Sequence, residues 1–249
     1  MNPQIEVIYS SRKVTAKSGA QIALHSEIDP ADGAFIHQVI SQDSSISKTL
    51  EVGCAHGLAS LHICDALSSR SNPHHVIIDP FQYSEWEGAG IRNLEDAGID
   101  FFRLIEKKSE FALPELLSQG ESRFDLIFID GWHTFDHTLL DCFYATRLLK
   151  TGGYLLIDDA DMPGVARATD YFSRYPCYQI HSAMGEPQRP TIKKRVEKAV
   201  LGLLSSSART RIFHPTFLRN LYEPKPRRVL ALRKIAEDKR SWTWFPVGF

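Results

Sequence analysis

The stretch that most constrains this chain is Thr49 to Ser60, TLEVGCAHGLAS. It reads as a short buried strand that runs into a tight turn of small residues and then into the start of a helix. Glu51 sits near the strand end, and Gly53 and Gly57 let a ligand come close to backbone that any side chain would shield. In a doubly wound α/β fold such a turn lies outside the carboxyl ends of the strands, where these folds hold their ligands.

The body of the chain repeats this strand-to-helix pattern. After a helix at about 57–69, HHVIID (74–79) is a second buried strand ending in an acid, Asp79, and FFRLI (101–105) is a third. Ser109 to Leu117 reads as a short helix. FDLIFID (124–130) is the clearest strand, because continuous apolarity marks burial on both faces of a parallel sheet. Thr134 to Leu149 has helical spacing and stops at Thr151-Gly152-Gly153. GYLLIDD (153–159) is a fifth strand, Val165 to Ser173 a helix and CYQIHSAM (177–184) a sixth strand. Alternation of this kind predicts a mostly parallel sheet with helices on both faces. Before it, residues 1–47 show no strand period. Asp29-Pro30 followed by Ala34, Phe35, Ile36, Val39 and Ile40 predicts a capped helix lying over the turn.

Composition narrows the class. With 249 residues, 43% hydrophobic and 24% charged, the chain suits one globular α/β domain with an elaboration. No run approaches the roughly 20 apolar residues that span a bilayer, and Met1 to Tyr9 carries no leader pattern, so a cytoplasmic location is expected. The four cysteines, Cys54, Cys64, Cys142 and Cys177, form no CxxC pair, which argues against structural zinc or a disulfide framework. The net charge of −1 hides an asymmetry: residues 185–249 hold 15 Lys and Arg against 5 Asp and Glu, leaving 14 against 25 for residues 1–184. An acidic core carries a basic tail.

The chain has neither GxxxxGK[ST] nor GxGxxG; it has EVGCAHG. Pyrophosphate binds backbone N–H groups away from carboxylates. Acids at the ends of the first two strands suit instead a ligand with an ammonium, a sulfonium and a ribose diol, which S-adenosylmethionine offers. The segment from about 48 to 185 resembles a class I S-adenosylmethionine-dependent methyltransferase, and within it the metal-dependent small-molecule O-methyltransferases of the catechol and macrocin type. The matches are TLEVGCAHG, the Asp79 strand end, KKSEFALPEL, FDLIFIDGWH and LLKTGGYLLIDDADMPG, in that order.

The resemblance implies a Rossmann-like, doubly wound sheet of seven strands with a basic helical insertion before the last. It also implies roles. Glu51 with Gly53, Cys54, Ala55 and Gly57 would hold the methionine part. Asp79, with Pro80 and Phe81 after it, would take the ribose, while Ser109 and Glu110 would bond the adenine and Trp132 pack against it. Asp130 is counted both with the cofactor and with the chemistry. Domain boundaries follow at 1–47 for a helical cap, 48–184 for the methyltransferase core and 185–249 for the insertion and final strand.

Three carboxylates carry the expected chemistry. Asp130 closes the fourth strand, and Asp158 and Asp159 close the fifth; adjacent strand ends lie about 5 Å apart, so these acids can share Mg²⁺ or a similar cation. Such an ion would bind and acidify an acceptor hydroxyl, and His133 would take the proton. Catechol-type enzymes have lysine at that position and the macrocin type histidine, which favours a sugar or natural-product hydroxyl. Two other readings stay open: His133 as a cap of the following helix, and acids that hold no ion. His133 and His137 lack the HExxH frame of a zinc site.

In the tail, Ile192, Val196, Val200, Leu203 and Leu204 share one helical face, with Lys193, Lys194, Arg195 and Lys198 opposite. A solvated helix, a lid, a homodimer contact and a membrane-surface helix over 192–213 are all compatible with it; nucleic acid is not expected, because interleaved aromatics are missing. A second basic helix is predicted over 228–239, and WTWF (242–245) as the last strand. The functional expectation is methyl transfer to a hydroxyl of a small molecule. The alternatives are metal-independent N- or C-methylation, or a cofactor-binding module acting through its tail.

Overall fold

The computed structural model describes residues 1–120, 123–184, 201–202 and 228–246. The chain begins with α1 (Pro3–Ser11), started by the Asn2 side chain accepting from Gln4 N, and a small hairpin of β1 (Lys13–Thr15) and β2 (Gln21–Ala23). Neither was expected from residues 1–47. The strands are three residues each and the helix spans nine, too short for a period to declare itself. The predicted cap helix is present as α2 (Pro30–Gln42), with Asp29 Oδ1 accepting from Ala31 N and Pro30 opening the first turn.

From there strands and helices alternate: β3 (Lys48–Val52), α3 (Leu58–Leu67), β4 (His74–Ile78), α4 (Ala89–Asp96), β5 (Phe102–Ile105), α5 (Ser109–Ser118), β6 (Phe124–Ile129), α6 (Phe135–Leu148), β7 (Leu149–Ile157), α7 (Pro163–Ser173), β8 (Tyr178–Met184) and β9 (Val229–Lys234). The main sheet has seven strands in the order β5-β4-β3-β6-β7-β9-β8. The first five run parallel, and β9 pairs antiparallel with both β7 and β8. The chain builds outward from β3 to β5, then returns to place β6 on the other side of β3. Their carboxyl ends therefore part at a topological switch point, where a crevice opens.

Both faces of the sheet are covered, which is why the central strands are apolar throughout. Leu126, Phe128 and Leu156 pack beneath α2, α3 and α4, while the alternate residues Ile127, Ile129, Leu155 and Ile157 pack against α5, α6 and α7.

Two expectations for the C-terminal part are corrected. Residues 228–239 do not form a helix: Val229–Lys234 is the strand β9, wedged between β7 and β8. The apparent basic face misled, because Lys234 points inward. Its side chain is 1% exposed, and Nζ donates to Thr146 O, Leu149 O and Glu237 Oε2. WTWF is not a strand either; Trp242 is 97% exposed, and Trp244 packs on Tyr171 and Tyr175. The helical face predicted around 192–204, Ile192, Val196, Val200, Leu203 and Leu204, lies outside the described residues. All four cysteines are free and buried. Among the described residues, no helix is long and apolar enough to cross a membrane.

Candidate active site

The ends of β3, β4, β6 and β7 set the site. Past each strand the ladder continues for one bond: Gly53 N donates to Ile78 O, Asp79 N to Ile105 O, Asp130 N to Val52 O and Asp158 N to Ile129 O. Sheet geometry thus fixes the backbone of each acid. Between β3 and α3 the turn uses left-handed backbone at Gly53 (φ 88°), Ala55 (φ 47°) and Gly57 (φ 79°). At Gly53 a side chain is excluded twice over, by that φ and because a Cβ would fall onto the backbone carbonyl of Asp130. Ala55 holds the same conformation with a Cβ, a local strain typical of ligand sites.

The crevice is a cavity of about 540 Å³. Its wall takes in Gly53, Cys54 and Ala55 from the turn, Asp79, Pro80 and Phe81 after β4, Ser109 and Glu110 at the start of α5, and Asp130, Trp132 and His133 after β6. Those eleven expected residues are brought together. Gly57 and Glu51 stand outside the wall. Gly57 lets the turn pack on the backbone of Gly90. Glu51 is fully buried beneath the turn, where Ser60 Oγ donates to its Oε2 and His75 Nε2 lies 3.0 Å from the same oxygen. His75 Nδ1 in turn lies 2.8 Å from Thr49 Oγ1. Glu51 therefore ties β3, β4 and α3 together under the site, rather than reaching into the cavity.

Asp79 lines the cavity and also organises it. Its Oδ2 accepts from Cys54 N and Ala55 N at 2.9 Å each and from Gln82 Nε2, and its Oδ1 accepts from Phe81 N. Ser109 does not cap α5, whose N-cap is Lys108; its hydroxyl bonds Asp141, whose carboxyl burial pushes up to about 6. Trp132 stands 61% exposed at the rim, its ring 6.2 Å from that of His137.

At the far edge the charges converge. Nε2 of His133 lies 3.4 Å from Asp130 Oδ1 and 3.3 Å from Asp159 Oδ2. One donor atom from each of Asp130, His133 and Asp159 falls within 4.8 Å of the others, spacing that suits a single cation. Two of the expected trio, Asp130 and Asp159, belong to this group. Asp158 lies outside the convergent group, with Oδ1 accepting from Asp159 N at 2.9 Å, while the left-handed backbone of Asp159 (φ 47°) turns that residue toward His133.

Crowding shows in the protonation. Burial, then the neighbouring Asp130, pushes the Asp158 carboxyl up to about 8, and burial pushes Asp130 up to about 6 against the opposing pull of His133. His133 is raised above its usual value, chiefly by its hydrogen bond to Asp130. Acids held partly protonated at neutral pH are acids short of positive charge, and a divalent cation fits that deficit.

Sequence reasoning missed part of the wall. His56 stands inside the turn from Gly53 to Gly57, where neither its type nor its spacing marks it as part of the wall. Ser26, Glu27, Ile28 and Trp86 also line the cavity, from segments without period or motif. Arg228 was counted only as tail charge. Its Nε lies 2.5 Å from Asp32 Oδ2, and its positive charge is felt by Asp158 and Asp159.

Known proteins resemble this chain in sequence and in fold. Residues 50–160 match a family described as a methyltransferase domain. Catechol O-methyltransferase B of Danio rerio is 29% identical over 157 residues, covering 59% of this chain and 54% of its own length. The chain thus spans about half the length of that curated relative. Among solved structures, the O-methyltransferase from Bacillus cereus in complex with SAH superposes with a TM-score of 0.60 at 16% identity, covering 73% of this chain and 83% of its own. The O-methyltransferase TomG from Streptomyces achromogenes, involved in tomaymycin synthesis and solved with SAM, gives 0.55 at 19% identity, covering 64% and 75%. Likeness at that level of identity establishes the fold alone. Residues 50–160 thus match a methyltransferase domain, within a fold shared with solved O-methyltransferases.

Proposed function

We propose that the protein transfers the methyl group of S-adenosylmethionine to a hydroxyl oxygen of a small molecule, a sugar, natural product or phenol, with help from a divalent cation. The observation that carries this reading is the convergence of Asp130, His133 and Asp159 at the edge of a cavity whose other walls are the small-residue turn and Asp79. On this reading Asp79, Pro80 and Phe81 would hold the donor's ribose, and Ser109, Glu110 and Trp132, from the same cavity wall, its adenine. Mg²⁺ or a similar ion, held by Asp130 and Asp159, would lower the pKa of the acceptor hydroxyl. His133 is the group placed to take the acceptor's proton at Nε2, and the two carboxylates beside it stabilise the imidazolium that results. Asp158, by bonding Asp159 N, sets the direction of that carboxylate. In-line transfer depends on the acceptor being held in position, which the fixed strand ends favour. The reading places the protein in the cytoplasm.

Arg228 favours a second reading. A guanidinium fixed near Asp158 and Asp159 eases their repulsion without an ion, as metal-independent N- or C-methylation would require.

Transfer of radiolabelled methyl to a panel of phenols, catechols, sugars and amines, run with and without chelator, separates the two. Hydroxyl products lost on chelation support the first reading, and chelator-indifferent products on nitrogen or carbon support the second. Cofactor binding without turnover across the panel would leave a binding module. Replacing His133 by Ala is expected to lower hydroxyl methylation by about 100-fold or more while the variant still binds Mn²⁺. Loss of Mn²⁺ binding instead would make His133 a ligand and not the proton acceptor.

A further inference from the structure

A second cavity, of about 490 Å³, shares no lining residue with the crevice. Its walls are one face of α1, with Ile5, Glu6 and Tyr9, the start of α2 at Pro30, and His62 from α3. That volume suits a small molecule.

His62 makes it more than a packing gap. The side chain is 1% exposed, yet neither ring nitrogen has a hydrogen-bond partner, and leaving an imidazole unpaired away from water is unfavourable. Its Cδ2–Nε2 edge abuts Gly33 of α2, where a Cβ would fall onto both atoms. Nδ1, on the other side of the ring, is the nitrogen left for a ligand. Burial, then the nearby His37, lowers the pKa to about 4, so at neutral pH the ring is uncharged.

The rest of the wall selects by charge. The Glu6 carboxylate, in the first turn of α1, has no partner among the described residues. No Lys or Arg lines the cavity, and the amino group of Met1 is held by Asp65 at 3.7 Å. Tyr9 adds an aromatic surface of the kind that attracts cations, its ring centroid 6.3 Å from that of His62, and Ile5 adds buried apolar surface. A carboxylate, an aromatic face, an uncharged imidazole and an apolar floor together recognise a protonated amine on an apolar body.

The two cavities share supports. Tyr9 Oη donates to Ile28 O at 2.9 Å, with Tyr9 in the wall of the second cavity and Ile28 in that of the crevice. Helix α3 likewise carries Leu58 and Ala59 at the crevice and His62, one turn on, at the second cavity.

We infer that the second cavity binds a protonated amine with an apolar body, and that its occupant changes the affinity of the crevice for the methyl donor through Tyr9 and Ile28. The first half is independent of the methyl-transfer reading; the second rests on it.

Phenethylamine, 2-phenylethanol and phenylacetate share one ring and differ in charge. Titrating each, followed by calorimetry and by the ring signals of ¹⁵N-histidine-labelled protein, tests the site. Phenethylamine is expected to shift the His62 signal, identified by its absence from His62→Phe, and to bind about 10-fold more tightly than the alcohol or the acid. Glu6→Gln is expected to weaken it about 3- to 5-fold and His62→Phe about 5- to 10-fold, with urea unfolding to establish that both variants fold. Equal affinity for the three probes, an unmoved His62 signal, or unchanged phenethylamine affinity in both variants would overturn the site. For the coupling, saturating phenethylamine is expected to change S-adenosylhomocysteine affinity about 5-fold in the wild type and not in Tyr9→Phe, which keeps the ring and loses the bond to Ile28. No change in the wild type, or an equal change in Tyr9→Phe, would overturn the coupling and leave the donor reading intact. Failure of the wild type to bind S-adenosylhomocysteine at all would overturn the donor reading and the coupling with it, and leave the amine site standing.

Discussion

Asp79 shows at the scale of one residue how position and partners divide a role. Its place after β4 was expected to serve a ribose, and it does face the cavity. Yet its carboxylate also accepts from three backbone N–H groups and the Gln82 side chain, so it holds the turn before any ligand arrives. Asp79→Ala leaves the buried N–H of Cys54 without a partner. The variant is expected to lose about 2–4 kcal/mol of stability in urea unfolding as well as affinity for the donor. A loss of affinity with unchanged stability would mean the turn holds its shape without that carboxylate. Such double duty was not legible in the sequence, because two of the partners of Asp79, the N–H groups of Cys54 and Ala55, come from a turn 25 and 24 residues earlier. Glu51 is the converse case: its motif position was legible, but its bond to His75 on the adjacent strand was not, since pairing of β3 with β4 has to be known first.

Among the elements, β3 to β7 were readable because burial on both faces leaves little choice but continuous apolar runs bounded by acids and glycines. The errors fall where that condition fails. β9 carries Arg233 and Lys234, and a basic residue counted as solvated hid a strand in which Lys234 is buried against the end of α6. Replacing Lys234 by Met would keep the stem and remove the donors to Thr146 O and Leu149 O. We expect a loss of about 2–4 kcal/mol, read as a lower urea midpoint with the m-value unchanged. A neutral result would show that water reaches those carbonyls and that the lysine is not a strut between α6 and β9. The hairpin β1–β2 escaped notice for a different reason, its three-residue strands being below any periodic signal.

For the whole molecule, stability and site chemistry meet in buried ionisable groups. His62 on α3 is 1% exposed with both ring nitrogens unpaired, and its ring packs where α2 offers only Gly33. Burial lowers its pKa from 6.5 to about 4. With the folded value below the unfolded one, the contribution is present above pH 6.5 and is lost as pH falls toward 4, because the unfolded chain takes up the proton first. The buried carboxyls Asp130, Asp141 and Asp158 are raised and push the other way, so the clean quantity is a difference between proteins. Between pH 7.5 and 4.5 the wild type is expected to lose on the order of 2 kcal/mol more than His62→Phe in urea unfolding. Equal losses would mean that His62 is solvated in the native state.

The central claim is that one crevice, at the point where the strand order reverses, seats both the methyl donor and the cation-assisted transfer. Diffraction from crystals grown with S-adenosylhomocysteine and Mn²⁺ tests it most directly. The account predicts the ligand along the wall from Trp132 to His56, and an anomalous peak beside Asp130 and Asp159. The ligand bound elsewhere, or those two carboxylates turned apart with no peak between them, would contradict it.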